Sequence, residues 1–284
     1  MITFFMVAVR IISNSLSNVY QKQLTSVGYN PSFINLVMYF GITVLLLPWA
    51  IKVPFISLGL GVYLFAICGG MFGALGNFYL VKALEKGELS VLGPINAYKS
   101  VVAMIIGIFM LKEIPSIYGI FAIFLIITGS YFVFDTQEEG FSFRLLKRAD
   151  IRYRIYALIF TGIEAVFIKE VIIRSDVMTS LILWSFFGMV FTGLIVFCTD
   201  KKIRTPNKSA LKKFVMIILL MGLMQYSTNF VFSHIQVSYG LALFQLSALL
   251  SVIFGWKYFN ETHILKKFFG SLIMIAGAVI LILL

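Results

Sequence analysis

The chain has 284 residues, of which 60% are hydrophobic and only 12% charged, and its formal net charge is +11. A water-soluble domain of this size could not bury so much apolar surface, so the lipid bilayer must be the solvent for most of the chain. The basic residues flank apolar segments, and no soluble domain accompanies them, which argues against nucleic-acid binding as the purpose of the charge.

Ten apolar segments follow one another along the chain, each close to the roughly 20 residues with which a helix crosses a bilayer. None alternates with period two, so all ten are predicted to be transmembrane helices. The first follows Met1 directly and carries Arg10 in mid-run, which predicts a retained helix and not a cleaved signal peptide. The segments cover residues 2–20, 33–51, 57–83, 89–111, 116–134, 154–173, 178–198, 213–235, 238–258 and 264–284.

The second half of the sequence repeats features of the first half. A shift of 148 positions places Ser90 on Ser238 and Glu113 on Glu261, while a shift of 147 places Lys22 on Lys169. Two copies of one unit in an apolar chain are typical of transporters whose site lies between the repeats.

The repeat predicts an all-α integral membrane protein with ten transmembrane helices, built as two inverted five-helix repeats. Residues 1–135 and 154–284 are the predicted repeats, and residues 136–153 are the charged linker between them. An odd number of helices in each repeat turns the second repeat upside down relative to the first. Most basic residues outside the spans fall on the linker side, so the positive-inside rule predicts that this side is cytoplasmic and that both termini lie outside.

Polar side chains inside the predicted spans are the candidate site. A charged group at mid-bilayer costs roughly 2.5–3.5 kcal/mol on insertion scales, so such groups are expected to face the bundle interior. Arg10, Asn14 and Asn18 recur on one face of the first helix. The predicted substrate-binding residues are Arg10, Asn14, Asn18, Asn96, Tyr98, Lys99, Glu164, Gln225, Asn229 and Gln245.

Two further interpretations of the charged residues stay open at this point. Glu164 is the only acidic residue deep inside a predicted span, which makes it the candidate for carrying a coupling proton. Alternatively, Lys99 and Glu164 form a structural ion pair with each other or with Arg10. The chain has no phosphate-binding loop, no nucleophile–base arrangement and no metal-ligand spacing, so we expect neither an enzyme nor a cofactor or metal site.

Several apolar features predict packing and not chemistry. Gly69, Gly70, Gly73 and Gly76 place small residues on one face of the third helix, which favours close contact with a neighbouring helix. Pro94 predicts a kink early in the fourth helix. The fifth and tenth segments carry almost no polar groups and are expected to be peripheral, facing lipid or forming a homodimer.

Two predicted spans have similar ends, and the helix after each of them carries a glycine. Lys112-Glu113 is followed by Gly129, and Asn260-Glu261 is followed by Gly277. Together with the five plus five spans, this pattern resembles the drug/metabolite transporter superfamily, EamA type. The resemblance covers nearly the whole chain and implies a central cavity lined by the first four helices of each repeat, with alternating access and export or exchange of amino acids, metabolites or drugs. It also implies cytoplasmic termini, opposite to the charge rule, and both orientations stay open.

We therefore expect a secondary transporter of a small polar metabolite, such as an amino acid or organic anion, in a bacterial plasma (inner) membrane. Its expected partners are the small-molecule substrate and membrane lipid. Two alternatives remain: a flippase component for lipid-linked sugars, and a membrane subunit that transports nothing. A wet cavity reaching Lys99 would favour transport, a groove open to lipid would favour the flippase, and a sealed, fully paired interior would favour the subunit.

Overall fold

The computed structural model describes residues 2–99, 101, 117–137, 142–199 and 205–283. Within these ranges every regular element is a helix. Short 3-10 turns accompany the α-helices at Phe55–Ser57, Pro94–Ala97 and Phe143–Lys147. The α-helices are α1 (Ile2–Ser26), α2 (Pro31–Ala50), α3 (Leu60–Lys86), α4 (Leu89–Leu92), α5 (Ile117–Phe134), α6 (Ala149–Arg174), α7 (Val177–Cys198), α8 (Lys208–His234), α9 (Val237–Phe244), α10 (Ser247–Phe259) and α11 (Ile264–Leu283).

Seven helices in the described ranges are long and apolar enough to cross a membrane. They are α1, α2, α3, α5, α7, α8 and the stretch Tyr239–Phe259, which joins most of α9 to α10. The predicted all-α membrane class is therefore present in the structure. Residue 100 and residues 102–111 of the predicted fourth span, residues 89–111, lie outside the described residues, so the full set of ten spans stays a prediction.

Several helices begin where a polar side chain can accept the free backbone amides of the first turn. The side chain of Asn30 accepts from the Ser32 amide at 3.1 Å before α2, with Pro31 as the first helical residue. Asp176 accepts from the amides of Met178 and Thr179 at 2.7 and 3.0 Å before α7. These caps set the short turns that return the chain across the membrane.

Helices of the first half pack mainly on helices of the second half. The main contacts join α1 to α8, α2 to α7, α3 to α6 and α5 to α11. A Cβ added to Gly76 of α3 would lie 2.5 Å from Thr161 Cγ2, and one added to Gly70 would lie 3.0 Å from the Gly188 nitrogen. The predicted close packing at these glycines is confirmed, because a larger residue would push α3 away from α6 and α7.

The fifth and eleventh α-helices pack tightly on each other through facing glycines. A Cβ added to Gly129 of α5 would lie 2.5 Å from the carbonyl oxygen of Gly270 in α11. The outer faces expose large apolar side chains, including Phe121, Phe124 and Phe269. These helices are peripheral, as predicted, while the homodimer through them stays a prediction.

Two helix interruptions meet near the centre of the bundle. The turn Pro94–Ala97 follows α4, in agreement with the kink predicted at Pro94. The ninth predicted span is interrupted between α9 and α10. There the Gln245 amide donates to the carbonyl of Ala242, three residues earlier, as in a 3-10 turn and not an α-helix. The half-buried Asn96 and the buried Gln245 join the two interruptions through a hydrogen bond of 3.1 Å from Asn96 Nδ2 to Gln245 Oε1.

Candidate functional site

A polar cavity of about 100 Å³ lies where α1, α3, α6, α8 and the two interrupted segments meet. A water molecule needs on the order of 10–15 Å³ of such space, so the cavity has room for several waters or a small solute. Seven of the ten predicted site residues line it: Arg10, Asn14, Asn18, Asn96, Lys99, Glu164 and Gln225.

The other three predicted residues do not line the cavity. Tyr98 turns away from Lys99, its neighbour on the helix, and donates from its hydroxyl to Ser130 Oγ at 2.8 Å. Gln245 accepts a hydrogen bond from the side chain of Asn96, which lines the cavity. Asn229 accepts one from Gln225 Nε2 at 3.0 Å, and Gln225 also lines the cavity. The Gln245 and Asn229 amides therefore support residues that line the cavity, and Tyr98 belongs to the packing around α5, while substrate binding by the predicted residues stays a prediction.

Arg10 presents a cation that nothing in the described part of the chain neutralises. Its guanidinium carbon lies 4.2 Å from the centre of the Phe244 ring, in a cation–π arrangement. Its Nε and Nη1 atoms are buried and make no hydrogen bond within the described residues. Since a buried donor without a partner costs about 1–3 kcal/mol, this guanidinium is a strong candidate for binding an acidic ligand.

Lys99 is held by a neutral partner. Its Nζ donates to Thr161 Oγ1 of α6 at 2.8 Å, and that hydroxyl donates in turn to the Ala157 carbonyl at 2.8 Å. The methylene groups of Lys99 pass beside Gly162. A Cβ added to Gly162 would be in ordinary van der Waals contact with Lys99 Cγ, 3.6 Å away. The ammonium group is thus positioned at the cavity wall and retains donors for a ligand.

Glu164 does not form the structural ion pair that the sequence left open. Its Oε1 accepts from Trp184 Nε1 of α7 at 2.6 Å, and within the described ranges no Lys or Arg nitrogen lies within 4.0 Å of its carboxylate. Gly73 of α3 makes room for this bond, because an added Cβ would lie 2.5 Å from Glu164 Oε1 and 2.8 Å from Trp184 Nε1. The ion-pair interpretation is therefore wrong for the described residues.

Arg154 also lines the cavity, although it was not among the predicted site residues; the predicted sixth span begins only at this position. The structure starts α6 at Ala149, so Arg154 lies inside the helix and lines the cavity. Its Nε donates to the Leu92 carbonyl of α4 at 2.8 Å. The spacing of Arg154, Thr161 and Glu164, at seven and three residues, already places them on one helix face and could have revealed this role.

Asn77 of α3 also lines the cavity without having been predicted. Its Nδ2 donates to the Tyr39 hydroxyl at 2.8 Å, and the Tyr39 ring packs on Trp184 with centroids 4.8 Å apart. Tyr39 and Trp184 are almost fully buried. A connected set of side chains from α2, α3, α6 and α7 therefore supports the carboxylate side of the cavity.

Comparison with protein families decides the class of this protein. The model of the EamA-like transporter family matches residues 1–135 and 152–283, which is nearly the whole chain. The chain belongs to the EamA-like transporter family. It is therefore an integral membrane protein of a family of transporters, and its long apolar helices agree with that membership.

The EamA-like fold is also found among solved structures. One of them, described only as the crystal structure of a protein, superposes with a TM-score of 0.69 over 98% of this chain and 95% of the other chain. The two sequences are 12% identical, so the likeness concerns the fold alone. Comparison with curated protein sequences gives no match.

Proposed function

We propose that this EamA-like protein is a secondary transporter that moves a small organic anion or zwitterion, such as an amino acid, by alternating access. The observation that carries the proposal is the cavity lined by Arg10, Lys99 and Arg154, none of which is paired with a carboxylate in the described residues. Unpaired cations in a membrane interior are costly, and they are retained where they bind ligands or ions.

The architecture that we propose for this function is a pair of inverted five-helix repeats with ten transmembrane helices in all. Three observations support it. The family model matches two separate segments of similar length. Contacts between the halves are reciprocal, since α1 packs on α8 and α3 packs on α6. The interrupted segments at Pro94–Ala97 and Gln245 occupy equivalent positions under the sequence shift, as expected for a site between repeats.

The cavity favours transport over the two alternatives. A subunit that transports nothing would have a paired interior, whereas the cavity reaches Lys99 and leaves the Arg10 donors unsatisfied. A flippase needs a polar site open to lipid. The structure does have an apolar groove of about 320 Å³ between α2, α7 and α8, but its lining shares no residue with the polar cavity.

Within this proposal, Glu164 is the group that responds to protons. Among the described residues it is the only acidic side chain lining the cavity, which it shares with Arg10, Lys99 and Arg154, and it accepts from the Trp184 indole of α7. A carboxylate in this position can exchange a proton each time the cavity opens to water. Replacing Glu164 with Gln should therefore change the pH dependence of transport, and a pH profile equal to that of the wild type would exclude the proton role.

The decisive experiment replaces Lys99 with Met, which keeps most of the side-chain volume and removes the charge. Metabolites exported by cells that express the wild type, the Lys99→Met variant or no transporter are compared by mass spectrometry. We expect export in the variant to fall on the order of tenfold or more, because the anion loses a charged partner. The matched control is Lys52→Met, an exposed lysine in the loop after α2. Equal export by wild type and Lys99→Met, at equal amounts in the membrane, would reject the proposed site.

A further inference from the structure

We infer that the cavity selects a small organic dianion, a dicarboxylate or a phosphate monoester, over monoanions and zwitterions. The inference rests on the proposed transport function and names its substrate class. It starts from the charges that line the cavity among the described residues: three cations, Arg10, Lys99 and Arg154, and one carboxylate, Glu164. With all four groups ionised, the empty cavity carries two positive charges in excess.

Within the described residues, the direct partner of each cation is a neutral group. Arg10 lies on the Phe244 ring, Lys99 donates to the Thr161 hydroxyl, and Arg154 donates to the Leu92 carbonyl. A buried charge without a counter-charge is strongly destabilising, so a ligand that supplies the missing negative charge gains what the empty site lacks. A monoanion or a zwitterion would leave at least one excess charge uncompensated.

The cations occupy two sides of the cavity. Arg10 belongs to the side where α1 faces α9, through its contact with Phe244. Lys99 and Arg154 belong to the side where the α4 segment meets α6. One acidic group can therefore meet Arg10 while a second meets Lys99 and Arg154. Guanidinium groups suit this role, since they bind carboxylate and phosphate oxygens in pairs.

The remaining lining groups fit the neutral part of such a molecule. Asn14, Asn18, Asn96 and Gln225 offer amide donors and acceptors to hydroxyl or carbonyl groups. The carboxylate that could attract a substrate ammonium is Glu164, and one of its oxygens is already occupied by the Trp184 indole. A cavity of about 100 Å³ restricts the ligand to a few carbon atoms. An amino acid with a single carboxylate fits this charge distribution less well than a short diacid.

The test measures binding to the full-length protein purified in detergent, by the shift of its thermal unfolding at constant ionic strength. Succinate is compared with butyrate, which has the same chain length and one acid group fewer. Glycerol 3-phosphate is compared in the same way with glutamine, a zwitterion. Comparing succinate with glycerol 3-phosphate shows whether the site prefers a dicarboxylate or a phosphate monoester. We expect at least one dianion to bind about tenfold or more tightly than butyrate and glutamine. If butyrate or glutamine binds as tightly as both dianions, or if no probe binds, the inference is overturned.

The Arg154→Gln variant tests whether Arg154 causes the preference for dianions. The matched control is Arg152→Gln, at an exposed position of the same helix. The Arg154→Gln variant should bind the preferred dianion and its monoanion within about threefold of each other, because the surplus charge has decreased by one. The Arg152→Gln variant should keep the wild-type preference. An unchanged preference in Arg154→Gln contradicts the role of Arg154, and should that variant not fold, the wild-type comparison of probes still decides the substrate class. Loss of transport in Lys99→Met combined with export of zwitterions would refute this inference and leave the proposed function standing.

Discussion

Gly73 illustrates how the site depends on a residue that has no functional group. Its missing side chain is the space in which Glu164 Oε1 and Trp184 Nε1 meet at 2.6 Å. The hydrogen bond holds the carboxylate at the cavity wall, where it makes no direct ion pair with the described cations. Residues of this kind act by leaving room, so their importance appears only when the neighbouring helices are in place.

Gly73→Ala should therefore damage the site more than an ordinary helix substitution. The new methyl group would displace the Glu164 carboxylate or the Trp184 indole, and overpacking of this kind costs about 1–3 kcal/mol. The expected result is a lower unfolding temperature in detergent together with weaker export. Gly61→Ala is the control, because a Cβ at Gly61 meets nothing within 4 Å and should be neutral or slightly stabilising. Equal behaviour of the two variants would contradict the role given to Gly73.

At the scale of one element, α4 depends on the second half of the chain. Both oxygens of Glu261, which follows α10, accept from the first amides of α4, those of Leu89 and Ser90, at 2.8 Å each. Lys22 of α1 lies 3.3 Å from the same carboxylate and donates to the Gly87 carbonyl at 2.5 Å. A four-residue helix is too short to be stable by itself, so this contact positions the segment that carries Asn96 and Lys99.

Glu261→Ala should release that segment. The two α4 amides and the Lys22 ammonium lose their shared acceptor, and we expect a loss of stability of roughly 2–3 kcal/mol together with impaired export. The control is Asp135→Ala, which removes the exposed ion pair with Lys266 and should change stability by about 1 kcal/mol or less. Thermal unfolding and export are measured on both variants. A Glu261→Ala protein as stable and as active as the control would show that α4 is held by other contacts.

The sequence predicts best those features that one element displays by itself. Arg10, Asn14 and Asn18 were found because they share a face of a single apolar helix, and the glycines of α3 were found because of their spacing. Arg154 was not predicted as a site residue, because the run of basic residues before it obscures the start of α6 at Ala149.

Features that require two elements were beyond the sequence alone. The sequence of α7 gives no sign that the Trp184 indole donates to Glu164 of another helix. The interruption at Gln245 could not be predicted from a proline, because this segment has none. Tyr98 and Lys99 are neighbours in the chain that point to different sides. Which of them meets the cavity is decided by packing against α5 and α6.

At the scale of the whole molecule, the two ends of the bundle differ in charge. The end of the bundle that holds the linker turn Phe143–Lys147 is called the linker end, and it also holds Lys22, Gly87 and Glu261. Lys52 follows α2 at the opposite end. The excess of Lys and Arg at the linker end predicts that this end is cytoplasmic.

The orientation is tested by labelling single cysteines with a maleimide that does not cross membranes, after Cys68 and Cys198 are replaced by Ser. In intact cells, a cysteine at position 52 should react and one at position 147 should react only after lysis. The reverse pattern would favour cytoplasmic termini, the arrangement implied by the resemblance to other family members. The introduced cysteines, at positions 52 and 147, lie outside the predicted spans, so the labels do not reach the cavity.

In the alternating-access cycle proposed above, the unpaired cations of the cavity also determine which step the membrane voltage can drive. An empty cavity with two surplus positive charges experiences an electric force when its access changes sides, about 2.3 kcal/mol for each charge moved through a full 100 mV. A bound dianion cancels that force. Voltage would then act on the return of the empty transporter and leave the loaded step unaffected, so net transport should respond to the membrane potential while one-for-one exchange should not.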